Sequence, residues 1–217
     1  MALICGSPGL EDGVACKRML LRALCALVVG AAPAAVRAAP DTAAWGPLVA
    51  GYNSSGEQLF QAFAATAGNI VLSPYSIGTV MAMALAGARG ETATEMAKVL
   101  GLALPRDQLS GANAAALASL KAAASPAFEL RIANAAMLTQ SRIPIDQAYV
   151  ALLQKDYAAE VFRGADLATV NGWVKKKTDG KIESILDRLD PSAALVLLDA
   201  IYFKARWDRP WSTLSRR

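Results

Sequence analysis

The chain has 217 residues, 54% of them apolar and 18% charged, which allows a sizeable buried core and leaves too few charges for a disordered segment. It contains no histidine, so imidazole is excluded as base or ligand, and with it the Ser-His-Asp and Cys-His constellations and most zinc sites. That removes most hydrolase readings; no enzyme, metal site or cofactor is expected, and a net charge of +4 without a basic stripe interleaved with aromatics gives no nucleic-acid partner.

The N-terminal stretch reads as a leader. Lys17, Arg18 and Arg22 precede the apolar run Ala23–Ala32, and Val36-Arg37-Ala38 offers small residues where a signal peptidase reads. Residues 1–39 are thus a signal peptide with an N-terminal extension, Met1–Cys16, and Met19 is a candidate alternative start. The run is shorter than the roughly 20 residues a membrane span needs, although a single anchor helix is the competing reading. Export places the product outside the cell or in the periplasm. All three cysteines, Cys5, Cys16 and Cys25, precede Asp41, so a processed chain has neither a thiol nucleophile nor an internal disulfide. Asn53-Ser54-Ser55 fits a glycosylation acceptor, a short pattern with many false positives.

After Asp41, Leu59, Phe60 and Phe63 recur at helical spacing and predict an amphipathic helix over Gly56–Thr66. Asn69–Leu72 reads as a short apolar strand. Ser73-Pro74 is a helix start, with a hydroxyl to accept from an orphan N–H and proline in the first helical position. Ile77, Val80, Met81, Met83 and Leu85 leave the helix that follows, to about Ala86, without a polar face, so it is expected to be enclosed. Gly87 and Gly90 bracket a turn, and Thr92-Ala93-Thr94-Glu95 is a capping box for a helix with Met96, Val99 and Leu100 inward, closed by Gly101. A further helix is expected at Gln108–Ala123. Alternation of Phe128, Leu130 and Ile132 with Glu129, Arg131 and Ala133 predicts a strand over Phe128–Leu138, half exposed at its start. Helical spacing returns at Tyr149, Val150, Leu152, Leu153 and Tyr157, and at Val170, Trp173 and Val174, with Glu160–Arg163 between them as an edge strand. Ala194–Phe203 is apolar on both alternating faces, which predicts a central strand. The three-residue run Lys175-Lys176-Lys177 reads as a solvated helix face.

Three blocks in this series resemble the serpins, a family of protease inhibitors. Asn69, Ser73-Pro74, Ser76-Ile77, Gly87-Ala88, Gly90, Thr92 and Met96 stand at the spacing of that family's buried strand and the two helices after it. Asn171-Gly172-Trp173-Val174 with Thr178-Asp179-Gly180-Lys181-Ile182 is similar to the helix lying across the main sheet and the turn leaving it. Asp199 through Lys204, with Trp207, is similar to a long central strand. The resemblance implies an α+β fold, N-terminal helices plus part of the central sheet, incomplete relative to the family. It also implies a mechanism of strain: a protease cleaves an exposed loop, and the loop inserts into a metastable sheet as a new strand.

In the family, a polar cluster lies beneath the point where the sheet opens, and its positions correspond to Ser73, Ser76 and Asp199. Asp199 departs from the usual asparagine, and Ala205 from a usual glycine. A carboxylate only accepts hydrogen bonds and is costly to bury unpaired, so Asp199 must keep a proton or find donors. The reactive loop and the rest of the sheet fall, in the family, beyond the point where this chain ends, and Ser212–Arg217 lose the family pattern. Residues 40–217 are accordingly read as a truncated serpin-like domain without a reactive centre, unable by itself to inhibit the serine or cysteine protease that a full-length relative would meet. The alternative is a non-inhibitory binding module completed by another chain.

Overall fold

The computed structural model describes residues 43, 45–66, 68–125, 128–140 and 144–207. The expected leader, the three cysteines and Ser212–Arg217 lie outside the described residues. The first helix, α1 (Gly46–Phe63), begins ten residues before its predicted start and buries a different face: Leu48, Gly51, Tyr52 and Gly56 point inward while Phe60 and Phe63 are exposed. The inward face sets the large side chains of Leu48 and Tyr52 beside two glycines, which let neighbouring elements approach. A Cβ on Gly51 would sit 2.8 Å from the Gly101 carbonyl oxygen, and one on Gly56 would sit 2.7 Å from the Pro74 ring. Phe60 and Phe63 point the periodicity to the wrong face because the bulky inward pair, Leu48 and Tyr52, lies upstream of the predicted start.

The second helix, α2 (Pro74–Gly87), starts as the sequence predicts, with Ser73 Oγ accepting from the Ser76 N–H at 3.2 Å and proline in the first turn. Tyr52 lies flat against Gly78, where an added Cβ would come within 2.3 Å of the ring. The helix is not enclosed all round: Met81 is exposed and Ile77 and Val80 are half-buried. At its C-terminus, Arg89 donates to the carbonyls of Ala86, Gly87 and Ala88, and Arg106 donates to those of Leu85, Ala86 and Ala88. Two guanidinium groups thus offset the negative end of the helix dipole and satisfy carbonyls that the helix itself leaves open.

Asn69–Leu72 is not a strand. Val71 is 69% exposed, and among the described residues no strand pairs with this segment to complete a ladder, which a strand requires. The third helix, α3 (Gly90–Val99), starts at Gly90 with no side-chain cap, so Thr92 is an exposed first-turn residue and not the head of a capping box. Val99 faces solvent; Ala93 and Leu100 are the buried pair. Gly101, in the left-handed region at φ +60°, closes the helix as predicted. Next comes α4 (Arg106–Ala123).

Three strands form one sheet in the order β2-β1-β3. β1 (Phe128–Leu138) is central. It pairs antiparallel with β3 (Leu195–Ala205), from Phe128 opposite Ala205 to Leu138 opposite Leu195, and parallel with the short edge strand β2 (Ala159–Arg163). Ala194–Phe203 was expected to be central, yet among the described residues β3 stands at the sheet edge. An apolar strand reports what lies above and below it and says nothing of its lateral neighbours. The helices α5 (Gln147–Asp156) and α6 (Leu167–Lys177) are capped by Asp146 and Asp166, which accept from Ala148 and Thr169 N–H at 2.8 Å.

The sheet separates two cores. Ala136, Leu195 and Leu197 join α1, α2, α4 and α5 on one side, whereas Ala135, Met137, Leu198 and Ala200 pack with Val170, Trp173 and Val174 of α6 on the other. The alternation of strand side chains therefore assigns Asn134 and Asp199, which stand opposite each other, to the α2 side. Because the Tyr52 ring occupies the place of a Cβ at position 78, Gly78→Ala is expected to destabilise the fold by about 1–3 kcal/mol, the usual cost of overpacking. Urea unfolding of both chains checks this, and an unchanged midpoint would show that the contact yields freely.

Candidate functional site

The polar groups gathered between α2 and the sheet form the candidate site. Ser73 is spent on capping α2. Ser76 and Thr79, one turn apart, both lie on the buried face of that helix. From the sheet come Asn134 on β1, 2% exposed, and Asp199 on β3, 4% exposed. Tyr75 and Tyr157 border them. Asn134 Nδ2 donates to the Tyr157 carbonyl at 2.9 Å, and Tyr52 donates to Asn113 Oδ1 at 2.9 Å, closing the far side.

This cluster is poorly satisfied. Neither Asp199 oxygen, nor Asn134 Oδ1, Thr79 Oγ1 or the Tyr157 hydroxyl, has a hydrogen-bond partner among the described residues. Burial pushes the Asp199 carboxyl up to about 6; the Ser76 hydroxyl lies near enough to oppose this without the alignment of a hydrogen bond. Burial, with the Asp199 charge second, pushes the Tyr75 phenol up to about 12. Burial likewise raises Tyr52 and Tyr157. All three phenols therefore stay neutral at ordinary pH.

Ser76 and Asp199 thus meet in space, and Ser73 sits at their margin as a cap. Asn134 and Thr79 were not singled out from sequence. Thr79 repeats Ser76 at helical spacing, and an asparagine amid the apolar second half of β1 is unusual, so both signals were present. Among the remaining motif residues, Asn69 and Thr92 are exposed, Trp207 is 63% exposed, and Pro74 packs against Gly56. Gly87 ends α2 beneath the Tyr149 ring, whose hydroxyl donates to the Met83 carbonyl at 2.9 Å.

Asn171, Thr178 and Gly180 organise the chain after α6. Asn171 Oδ1 accepts from the Ile185 and Leu186 N–H at 3.0 and 3.1 Å, while its Nδ2 donates to the Leu186 carbonyl at 2.8 Å. Thr178 Oγ1 donates to the Val174 carbonyl and accepts from the Ile182 N–H. Gly180, at φ +73°, makes the turn between them. Lys177 pairs with Glu160, which also accepts from Trp173 Nε1 at 3.2 Å. Among the described residues no group of three or more Cys, Asp or Glu could hold a metal ion, and no helix is long and apolar enough to cross a membrane.

The folded chain holds the Asp199 proton more tightly than the unfolded chain does, so the stabilisation is fully present below about pH 4 and is lost as pH rises through about 6. A displacement of that size is worth on the order of 3 kcal/mol. Asp199→Asn is therefore expected to raise stability by up to that amount at about pH 8 and by little at about pH 4. Melting curves of the two chains at both pH values decide it; a variant no more stable at the higher pH would rule out a poorly satisfied carboxylate.

The chain matches the family described as "Serpin (serine protease inhibitor)" over residues 50–217. A serpin-like protein of Thermococcus kodakarensis is 36% identical over 168 residues, covering 74% of this chain and 39% of that protein. Leukocyte elastase inhibitor of Sus scrofa is 35% identical over 156 residues, covering 68% of this chain and 40% of its own length. The solved structure of Tengpin, a thermophilic serpin in the latent state, superposes with a TM-score of 0.68 at 27% identity, over 76% of this chain and 46% of that one. The chain thus spans about two-fifths of the length of these curated relatives. The match over most of the chain, together with helices on both sides of a partial mixed sheet, makes it a member of the serpin family.

Proposed function

We propose that this chain is the exported scaffold portion of a serpin-type inhibitor of serine proteases, and that alone it neither inhibits a protease nor catalyses a reaction. The observation that carries this reading is β3: eleven residues long, covered on both faces, and without a ladder partner on its outer side among the described residues. A loop-inserting inhibitor needs further strands beside it and a loop to insert. The exposed apolar residues Phe60, Phe63, Val71 and Met81 support the same reading, because they lie on α1, α2 and the segment between them. Further serpin chain would cover them. Secretion rests on the leader pattern at residues 17–38, whose removal near Ala38 would be read by mass spectrometry of the exported protein.

Incubation with trypsin-like, chymotrypsin-like and elastase-like serine proteases tests the function. The expected result is cleavage of the chain as a substrate, with residual protease activity unchanged and no complex resistant to denaturing gel electrophoresis. A covalent complex with any of the three would overturn the reading.

A further inference from the structure

Asn134 and Asp199 stand directly opposite each other in the β1–β3 ladder, both on the face toward α2 and both more than nine-tenths buried. Opposed residues of an antiparallel pair have Cβ atoms about 4.5–5.5 Å apart, within reach of two short polar side chains. The orientation of the Asn134 amide is fixed by chemistry. Its Nδ2 donates to the Tyr157 carbonyl at 2.9 Å, and a carbonyl can only accept, so the amide cannot be reversed. Its other end, Oδ1, is an acceptor without a donor among the described residues, and both oxygens of Asp199 are in the same condition. When ionised, the carboxylate is a second set of acceptors facing the first. With one proton added, it supplies the donor that the pair lacks.

We infer that neutral Asp199 donates a hydrogen bond to Asn134 Oδ1, making a proton-dependent clasp across the β1–β3 seam. The bond joins two strands at the seventh of the eleven pairs of their shared ladder, away from either end. Losing the proton removes the bond and sets like partial charges against each other in a medium where water cannot screen them. Acidification therefore tightens this seam, and neutral pH loosens it. This holds whatever the chain does to proteases.

Among the described residues the ionisable groups around the pair are three phenols, Tyr75 of α2, which feels the Asp199 charge, Tyr52 of α1 and Tyr157 after α5, with the Asp156 carboxylate beside Tyr157. α2 carries no charged residue. Glu129 and Arg131 of β1 and Lys204 of β3 belong by alternation to the opposite face, where Arg131 stacks on Tyr202. Glu160 of β2 is there too, paired with α6.

Carbon-13 titration of the Asp199 carboxyl in the full chain and in Asn134→Leu separates this clasp from burial alone. Leucine has a similar shape and no acceptor. If burial alone set the midpoint, the more apolar neighbour would hold it or raise it; if Oδ1 accepts the proton, the midpoint falls by about one pH unit. A midpoint that stays or rises overturns the inference. If the variant does not fold, amide exchange in the unmodified chain gives a second reading. Protection at residues 133–135 and 198–200, corrected for intrinsic rate, is expected to fall about tenfold between pH 5 and 7.5, while protection at Ala159–Arg163 holds. A uniform change across the sheet, or none, also overturns it.

Discussion

The fold is organised by one constraint: α2 carries no charged residue and is apolar on several sides, so the elements around it pack against most of its surface, Met81 excepted. Burying a large apolar side chain contributes about 1.5–3 kcal/mol, but a helix that is apolar on several sides realises this only when several elements reach it. Tyr52 of α1 closes on Gly78, Tyr149 of α5 covers Gly87 and bonds the Met83 carbonyl, and the sheet closes a further side with Ala136, Leu195 and Leu197. Arg89 and Arg106 then occupy the C-terminal carbonyls, tying the start of α3 and of α4 to the same helix end. Removing the apolarity of α2 would leave these contacts without a common centre.

The same enclosure draws polar groups into the core. Ser76 and Thr79 lie on the helix face that meets the sheet, and Asn134 and Asp199 on the sheet face that meets the helix. Each is costly to bury without a partner, because the interior offers no water in exchange. The interface between helix and sheet is consequently well packed but poorly bonded. Its apolar contacts hold it together while its polar centre pulls against them, a combination that lowers the cost of local opening relative to the surrounding core.

Much of this was legible in the sequence, and the omissions have physical reasons. The Ser73-Pro74 start of α2 and the β1 boundaries follow from local chemistry, which composition and alternation encode directly. The burial of Asp199 follows from its place in a run apolar on both faces. On α1 the inward face runs through Leu48 and Tyr52, upstream of the Phe60 and Phe63 that set the predicted periodicity, and Gly51 and Gly56 complete it by letting Gly101 and Pro74 come close. Thr92 fits a cap by sequence, yet Gly90 at φ +57° has already turned the chain into α3. Asn134 escaped notice because its importance is relational: it comes from the residue opposite, sixty-five positions later.

Asp199 also bears on what can be added to β3. An apolar strand with an open edge is a template for indiscriminate pairing, and an inward-pointing charge is one of the devices that discourage it. Any strand laid along the outer side of β3 brings its own side chains beside Asp199, one position before the middle of the eleven-residue strand. An apolar newcomer would seal the carboxylate away from water more completely and worsen its position. A newcomer with a hydrogen-bond donor at that level would relieve it. On electrostatic grounds alone, a segment with a donor at that level therefore suits this edge better than an apolar one.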